Sequence, residues 1–132
     1  MLILDSFPEY NDSMHKLVIL IEPLENWELF EAGFPEFLHL AEEMPGLLRE
    51  TIGRVEDHLY GRFRVQQVHE LYFESREAAE KAMASPTGRA AGRLLQRITD
   101  GHVVLFFSDH MEDELENIRL YKKPTDREKE KD

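Results

Sequence analysis

Two uninterrupted apolar runs lie far apart in the chain, Leu17-Val18-Ile19-Leu20-Ile21 and Val103-Val104-Leu105-Phe106-Phe107. Side chains alternate across a strand, so a run with no polar position must bury both of its faces. Both runs are far too short to cross a membrane. His15 to Glu22 is therefore read as a central strand and His102 to Ser108 as the last strand of a sheet covered on both sides.

The residues between them supply two helical units and two more strands. After Pro23, Asn26 is placed to cap a helix, and Trp27, Phe30, Phe34, Leu38 and Ala41 recur at helical spacing. Gly33 and Pro35 interrupt this stripe. Proline lacks the N–H for the i−4 carbonyl, which predicts two short pieces or a kink, with Pro35 opening the second. Pro45-Gly46 closes the unit. Leu47 to Val55 reads as a strand with Leu48, Glu50, Ile52 and Arg54 on one face and Leu47, Thr51, Gly53 and Val55 on the other. Residues 56–62 form a hairpin connection carrying Asp57, His58, Tyr60 and Gly61. Phe63 to Phe73 is the third strand: Gln67, His69, Leu71 and Phe73 face one way, Val68, Glu70 and Tyr72 the other. Ser75 caps a helix reaching about Ala84. Ser85-Pro86 starts another, with an apolar stripe of Ala91, Leu94, Leu95 and Ile98 that ends at Gly101.

The resulting order, β-α-β-β-α-β, is the split βαβ or ferredoxin-like arrangement. This is an α+β fold in which a four-stranded antiparallel sheet carries helices on one face. Helices on one face leave the other bare, yet strands one and four are apolar on both. A second copy packed sheet against sheet would cover it, so a homodimer is expected. The domain is placed at residues 14–110. Residues 1–13, with Pro8, Asn11 and Asp12, read as an N-terminal arm, and residues 111–132 as a charged, partly disordered tail.

Charge narrows the partners. The 27 acidic residues outweigh 16 basic ones for a net charge of −11, which argues against nucleic acid and against anionic membranes. The chain has no cysteine, excluding disulfides, thiolate nucleophiles and cysteine-ligated metals. That fits a cytoplasmic protein. Met1 to Asp5 is too short and acidic for a secretory signal.

Pro45-Gly46-Leu47, Glu70-Leu71-Tyr72-Phe73-Glu74-Ser75 and Ala84-Ser85-Pro86 together resemble the "PGL … ELWF-S … SP" pattern of EthD-like proteins, members of the dimeric α+β barrel superfamily. The likeness spans about residues 15–110. It implies a homodimer whose two sheets close a barrel, with a small pocket in each protomer between sheet and helices. Relatives include lactone isomerases, polyketide cyclases and cofactor-independent or haem-degrading monooxygenases.

EthD-like proteins usually carry a histidine on helix one, about eight residues before the proline, a count that lands here on Phe37. His39 lies on the opposite side of the helical wheel and is expected to face solvent. His69, which shares a strand face with Phe73, is then the candidate general acid/base; the competing reading is a hydrogen-bonded core histidine. Trp27, Phe37, Tyr60 and Phe73 are the expected pocket-lining residues, although aromatic residues at helical spacing also serve as plain core. Glu70 and Tyr72 are assigned to the barrel and dimer face, where a buried Glu70 needs a partner such as Arg49, Arg54 or Arg64. No metal site is expected. His110 with Asp109 and Glu112 lacks the spacing that sets two ligands on one helical face. The segment after Ser85-Pro86 has Thr87 and Gly88 where haem-degrading relatives often have a histidine, so no cofactor is expected. The combined expectation is a small dimeric protein that binds an apolar or cyclic metabolite for isomerisation, cyclisation or cofactor-independent oxidation. The alternative is a non-catalytic ligand-binding or accessory protein of a catabolic pathway.

Overall fold

The structure is a computed structural model that describes residues 14–116. It divides into two compact units, Ser13–Asp109 and a second whose described part is residues 110–116. The expected arm, and the tail beyond residue 116, lie outside the described residues. The larger unit runs β1 (His15–Ile21), α1 (Trp27–Glu42), β2 (Arg49–Arg54), β3 (Gln67–Phe73), α2 (Arg76–Ala84), α3 (Pro86–Thr99) and β4 (Val103–Asp109). The sheet order is β2-β3-β1-β4, with every pairing antiparallel. The two apolar runs thus become adjacent strands, Ile19 standing opposite Leu105 on one side and His69 on the other.

The core lies on the helix-covered face. Leu17, Ile19 and Ile21 of β1 and Leu71 and Phe73 of β3 pack with Phe30, Phe37 and Ala41 of α1, Ala79 and Ala82 of α2, and Ala91, Leu94, Leu95 and Ile98 of α3. At roughly 25 cal/mol per Å² of apolar surface, each large side chain sealed here contributes about 2 kcal/mol.

Three helix starts follow from the sequence. Asn26 Oδ1 accepts from the Leu29 N–H at 3.0 Å, Ser75 Oγ from Ala78 N–H at 3.1 Å and Ser85 Oγ from Gly88 N–H at 3.0 Å. Ser85 also donates to the Ala82 carbonyl at 2.6 Å, so one hydroxyl closes α2 and opens α3.

The expected break in the first helix does not occur. The helix α1 is continuous from Trp27 to Glu42 with Pro35 inside it. Pro35 and Glu31, whose carbonyl it leaves without a helical donor, are both exposed residues, so the lost bond falls on the solvent side of the helix. Gly33 is a packing residue rather than a breaker: a Cβ there would come within 2.7 Å of Ile98 Cγ2, so its bare backbone lets α1 approach α3. The third strand begins at Gln67, not Phe63; Gln66 still bonds Ile21 and Val55, but residues 63–65 have no partner in the ladder. The end of α3 is capped by Asp100 in the left-handed region, one residue before the expected Gly101, which is itself at φ 78° and donates to the Gln96 carbonyl at 3.1 Å.

The glycines of α3 are not equivalent. A Cβ on Gly88 would lie 2.1 Å from the Ala82 carbonyl oxygen, whereas one on Gly92 would meet nothing within 4 Å. Gly88→Ala is expected to destabilise by about 2 kcal/mol or more, because the α2–α3 junction must open. Gly92→Ala is expected to stabilise by about 1 kcal/mol through helix propensity. Denaturant midpoints of the two variants check this opposition of sign.

Candidate functional site

The inner face of α1 carries a column of four aromatic rings. Trp27 stacks on Phe30 at 4.8 Å, Phe30 on Phe34 at 4.9 Å, and Phe34 on Phe37 at 5.8 Å between centroids. The column ends on His69. Phe34 and Phe37 meet its imidazole edge-on at 5.8 and 5.6 Å.

His69 is 1 % exposed, and neither ring nitrogen has a hydrogen-bond partner among the described residues. The nearest polar atom recorded for it, Glu50 Oε2, stands 3.5 Å from Nε2, too far for a good hydrogen bond. Burial among aromatic rings pushes the His69 pKa down to about 4; the charge of Glu70, on the opposite face of the strand, opposes this only partly. Glu50 moves the other way: burial raises its pKa, and the neighbouring Glu42 carboxyl, in charge and hydrogen-bond contact, raises it further. Gln67, two residues before His69 and on the same face, is also buried, with Nε2 unpartnered.

A cavity of about 360 Å³ lies between α3 and the β1–β4 half of the sheet. Its inner walls are Leu17, Ile19, Leu71, Phe37 and Leu95, and Gln96 supplies the only polar side chain lining it among the described residues. The exposed Gly92, Gln96, Gly101 and Leu105 form its mouth. The size falls within the range of small-molecule sites, roughly 300–1,000 Å³.

These positions can be set against the expected site. Phe37 is buried and lines the cavity. Trp27 lies in the aromatic column and Phe73 is fully buried core; neither borders the cavity. Tyr60 is 98 % exposed in the β2–β3 connection and is not a wall of the cavity, because no other element packs on its side chain. His69 is not among the cavity walls, although Phe37, which lines the cavity, meets its ring edge-on. His39 faces solvent beside Glu43 at 3.3 Å, as its helical phase requires. His58 Nε2 accepts from the Val65 N–H at 3.1 Å and so pins its own loop. His102 lies 3.8 Å from Glu22, and His110 lies 2.6 Å from Glu112. Among the described residues no three of His, Asp and Glu are grouped to hold a metal ion.

The sheet face away from the helices carries a different cluster. Glu70 receives Lys16 Nζ at 3.0 Å, the Tyr72 hydroxyl at 2.8 Å and the Thr51 hydroxyl at 3.1 Å. Burial alone would raise its pKa, but these hydrogen bonds and the Lys16 charge outweigh it and hold the carboxyl below its usual range. The partner is Lys16, not one of the arginines expected from sequence, because the β1–β3 register sets Lys16 opposite Tyr72 and Val18 opposite Glu70. Arg49 instead lies over the Tyr72 ring at 4.4 Å.

Sequence reasoning placed Gln67 on the face of His69 but missed Glu50 as a neighbour of the imidazole, and Lys16 as the partner of Glu70. Alternation put each on a face, but only register places Glu50 opposite Leu71, next to His69.

The pH dependence follows from His69. Its folded pKa is below the unfolded value, so the unfolded chain binds the extra proton. Stability is fully present above about pH 6.5 and is lost as pH falls toward 4. The loss is about 3 kcal/mol. Denaturant unfolding at pH 7, 5.5 and 4 is expected to show a steeper decline in the native chain than in His69→Leu; equal declines would mean that His69 is not held neutral.

No family model matches the chain, and no curated protein sequence matches it. Solved structures do. An EthD (ethyl tert-butyl ether) family protein of Bacillus halodurans is 24% identical, with TM-score 0.68 over 74% of this chain and 99% of that one. SnoaB, a cofactor-independent oxygenase from Streptomyces nogalater, solved as a point mutant, is 17% identical, with TM-score 0.55 over 77% of this chain and 95% of that one. A dimeric ferredoxin-like protein of unknown function from Jannaschia is 20% identical, with TM-score 0.56 over 74% and 98% of the two chains. In fold, the chain is ferredoxin-like, with the β-α-β-β-α-β architecture that its sequence order requires and that these proteins share.

Proposed function

We propose that the chain is an EthD-like protein that binds a small apolar or cyclic metabolite between sheet and helices and acts as a homodimer. The observation that carries this reading is the 360 Å³ cavity, whose walls are apolar apart from Gln96. Such a space favours a compact hydrocarbon body and gives a charged group nothing to pair with. The EthD-family and oxygenase structures of the same fold support the small-molecule assignment.

A chemical role, whether isomerisation, cyclisation or cofactor-independent oxidation, rests on His69 as acid/base. An imidazole at about pKa 4 is a weak base at neutral pH. Binding is therefore the primary proposal, and catalysis requires the ligand to reach and repolarise His69. A non-catalytic carrier or accessory role is the alternative, favoured by the absence of His69 from the cavity walls.

The dimer reading is supported by the apolar residues Leu20, Val68, Val104 and Phe106 on the sheet face away from the helices, of which Phe106 is 44 % exposed, while Val18 and Tyr72 on that face are already buried within the chain. Relatives of this fold are described as dimeric.

Two measurements test the proposal. Tetralin, a compact bicyclic hydrocarbon, is expected to raise the melting temperature in a saturable way. Gly92→Leu, whose side chain has open space at the cavity mouth, is expected to abolish that shift while keeping the fold. Sedimentation equilibrium at micromolar concentration should give twice the chain mass, and Phe106→Glu should halve it; a monomer mass for the native chain would overturn the dimer.

A further inference from the structure

Buried polar atoms without partners are uncommon in folded proteins, because each costs roughly 1–3 kcal/mol. Here several lie along one face of β3 and its neighbour β2, with His69 Nε2 and Glu50 Oε2 3.5 Å apart. Both ring nitrogens of His69, Nε2 of Gln67 and Oε2 of Glu50 all lack a hydrogen-bond partner among the described residues. His69 and Gln67 are 1 % and 2 % exposed and share the helix-facing side of β3.

The cavity is one side chain away. Phe37 forms part of its wall and also meets the imidazole edge-on at 5.6 Å. Ile19, directly opposite His69 across the β1–β3 ladder, and Leu71, two residues along, line the same cavity. Phe37, Ile19 and Leu71 thus each border the cavity and neighbour His69, so the imidazole lies directly behind the cavity wall.

We infer that His69, with Gln67 two residues along the same face of β3, forms a polar subsite behind the cavity wall that takes a neutral carbonyl or hydroxyl oxygen of the ligand. This rests on the reading that the cavity binds a small molecule. The chemistry of the groups selects the class. The Gln67 amide and whichever imidazole nitrogen carries the proton are N–H donors, so they call for an acceptor oxygen. The carboxyls of Glu50 and Glu42 at the edge of the subsite repel an anion, which leaves a neutral oxygen. The ligand then has a hydrocarbon body in the cavity and one uncharged oxygen directed at β3. The second imidazole nitrogen remains an acceptor and can receive the proton of a hydroxyl or enol form.

The test compares 1-tetralone with tetralin, which share a bicyclic frame and differ in one carbonyl. The native protein is expected to bind 1-tetralone about tenfold more tightly, the equivalent of one charge-free hydrogen bond in a dry site. Nitrogen-15 spectra should show the Gln67 side-chain amide and the His69 ring nitrogens shifting with 1-tetralone and not with tetralin. Gln67→Met and His69→Phe should each reduce the preference; Gln67→Met and the native-protein spectra keep the test decisive if His69→Phe fails to fold. Equal affinity for the two probes, or a preference that survives in Gln67→Met with no spectral response, overturns the subsite while leaving the cavity reading intact. Binding of neither probe overturns the cavity reading, and the subsite with it.

Discussion

The register of β1 against β3 is the constraint on which the rest of the structure depends. Ile19 opposite His69, and Val18 opposite Glu70, decide which face each residue of β3 serves. A slip of one position would send Gln67, His69, Leu71 and Phe73 to the face away from the helices and drive Glu70 beneath the helices. The slip is prevented by burial. Leu17, Ile19 and Ile21 match Phe73, Leu71 and the aromatic column of α1 only in the observed alignment. On the other face the Lys16–Glu70 pair, with the Tyr72 and Thr51 hydroxyls, is formed only in that same alignment. One register thus satisfies two faces with different chemistry.

The two faces treat their ionisable groups in opposite ways. Glu70 is charged and surrounded by donors, so its burial is offset by hydrogen bonds. His69 is neutral and surrounded by rings, so its burial is tolerated only without charge. A neutral imidazole beside an apolar cavity suits recognition of an uncharged oxygen better than electrostatic catalysis at neutral pH. The close helix packing that walls the cavity depends on glycine. Gly88 lets α3 start against the end of α2, and Gly33 lets α1 lie against Ile98. At Gly92 and Gly101, where no side chain intrudes, the cavity opens.

Much of this was legible from residues alone. The apolar runs at 17–21 and 103–107, the caps at Asn26, Ser75 and Ser85 and the alternation along β3 are local properties that the chain carries wherever it goes. The short motifs around Pro45, Glu70 and Pro86 pointed to the same architecture. What misled was also local. Pro35 reads as a helix break because the sequence does not show that Pro35 and Glu31 lie on the solvent side of the helix. Tyr60 reads as a pocket residue because its spacing does not show that no other element packs on its side chain. Phe37 was placed on the inner side of α1 by helical phase, but not as a ring that borders the cavity and also meets the imidazole.

The sequence by itself determined the element order, the fold class and the side of each element that turns inward, because these follow from periodicity and capping within a few residues. Only the tertiary structure decided which residues meet. Glu50 reaches His69 across β2–β3, Lys16 reaches Glu70 across β1–β3, and the cavity forms where α3, β1 and β4 fail to fill the space between them. Those facts depend on register and on the gaps between packed elements, which no single segment contains.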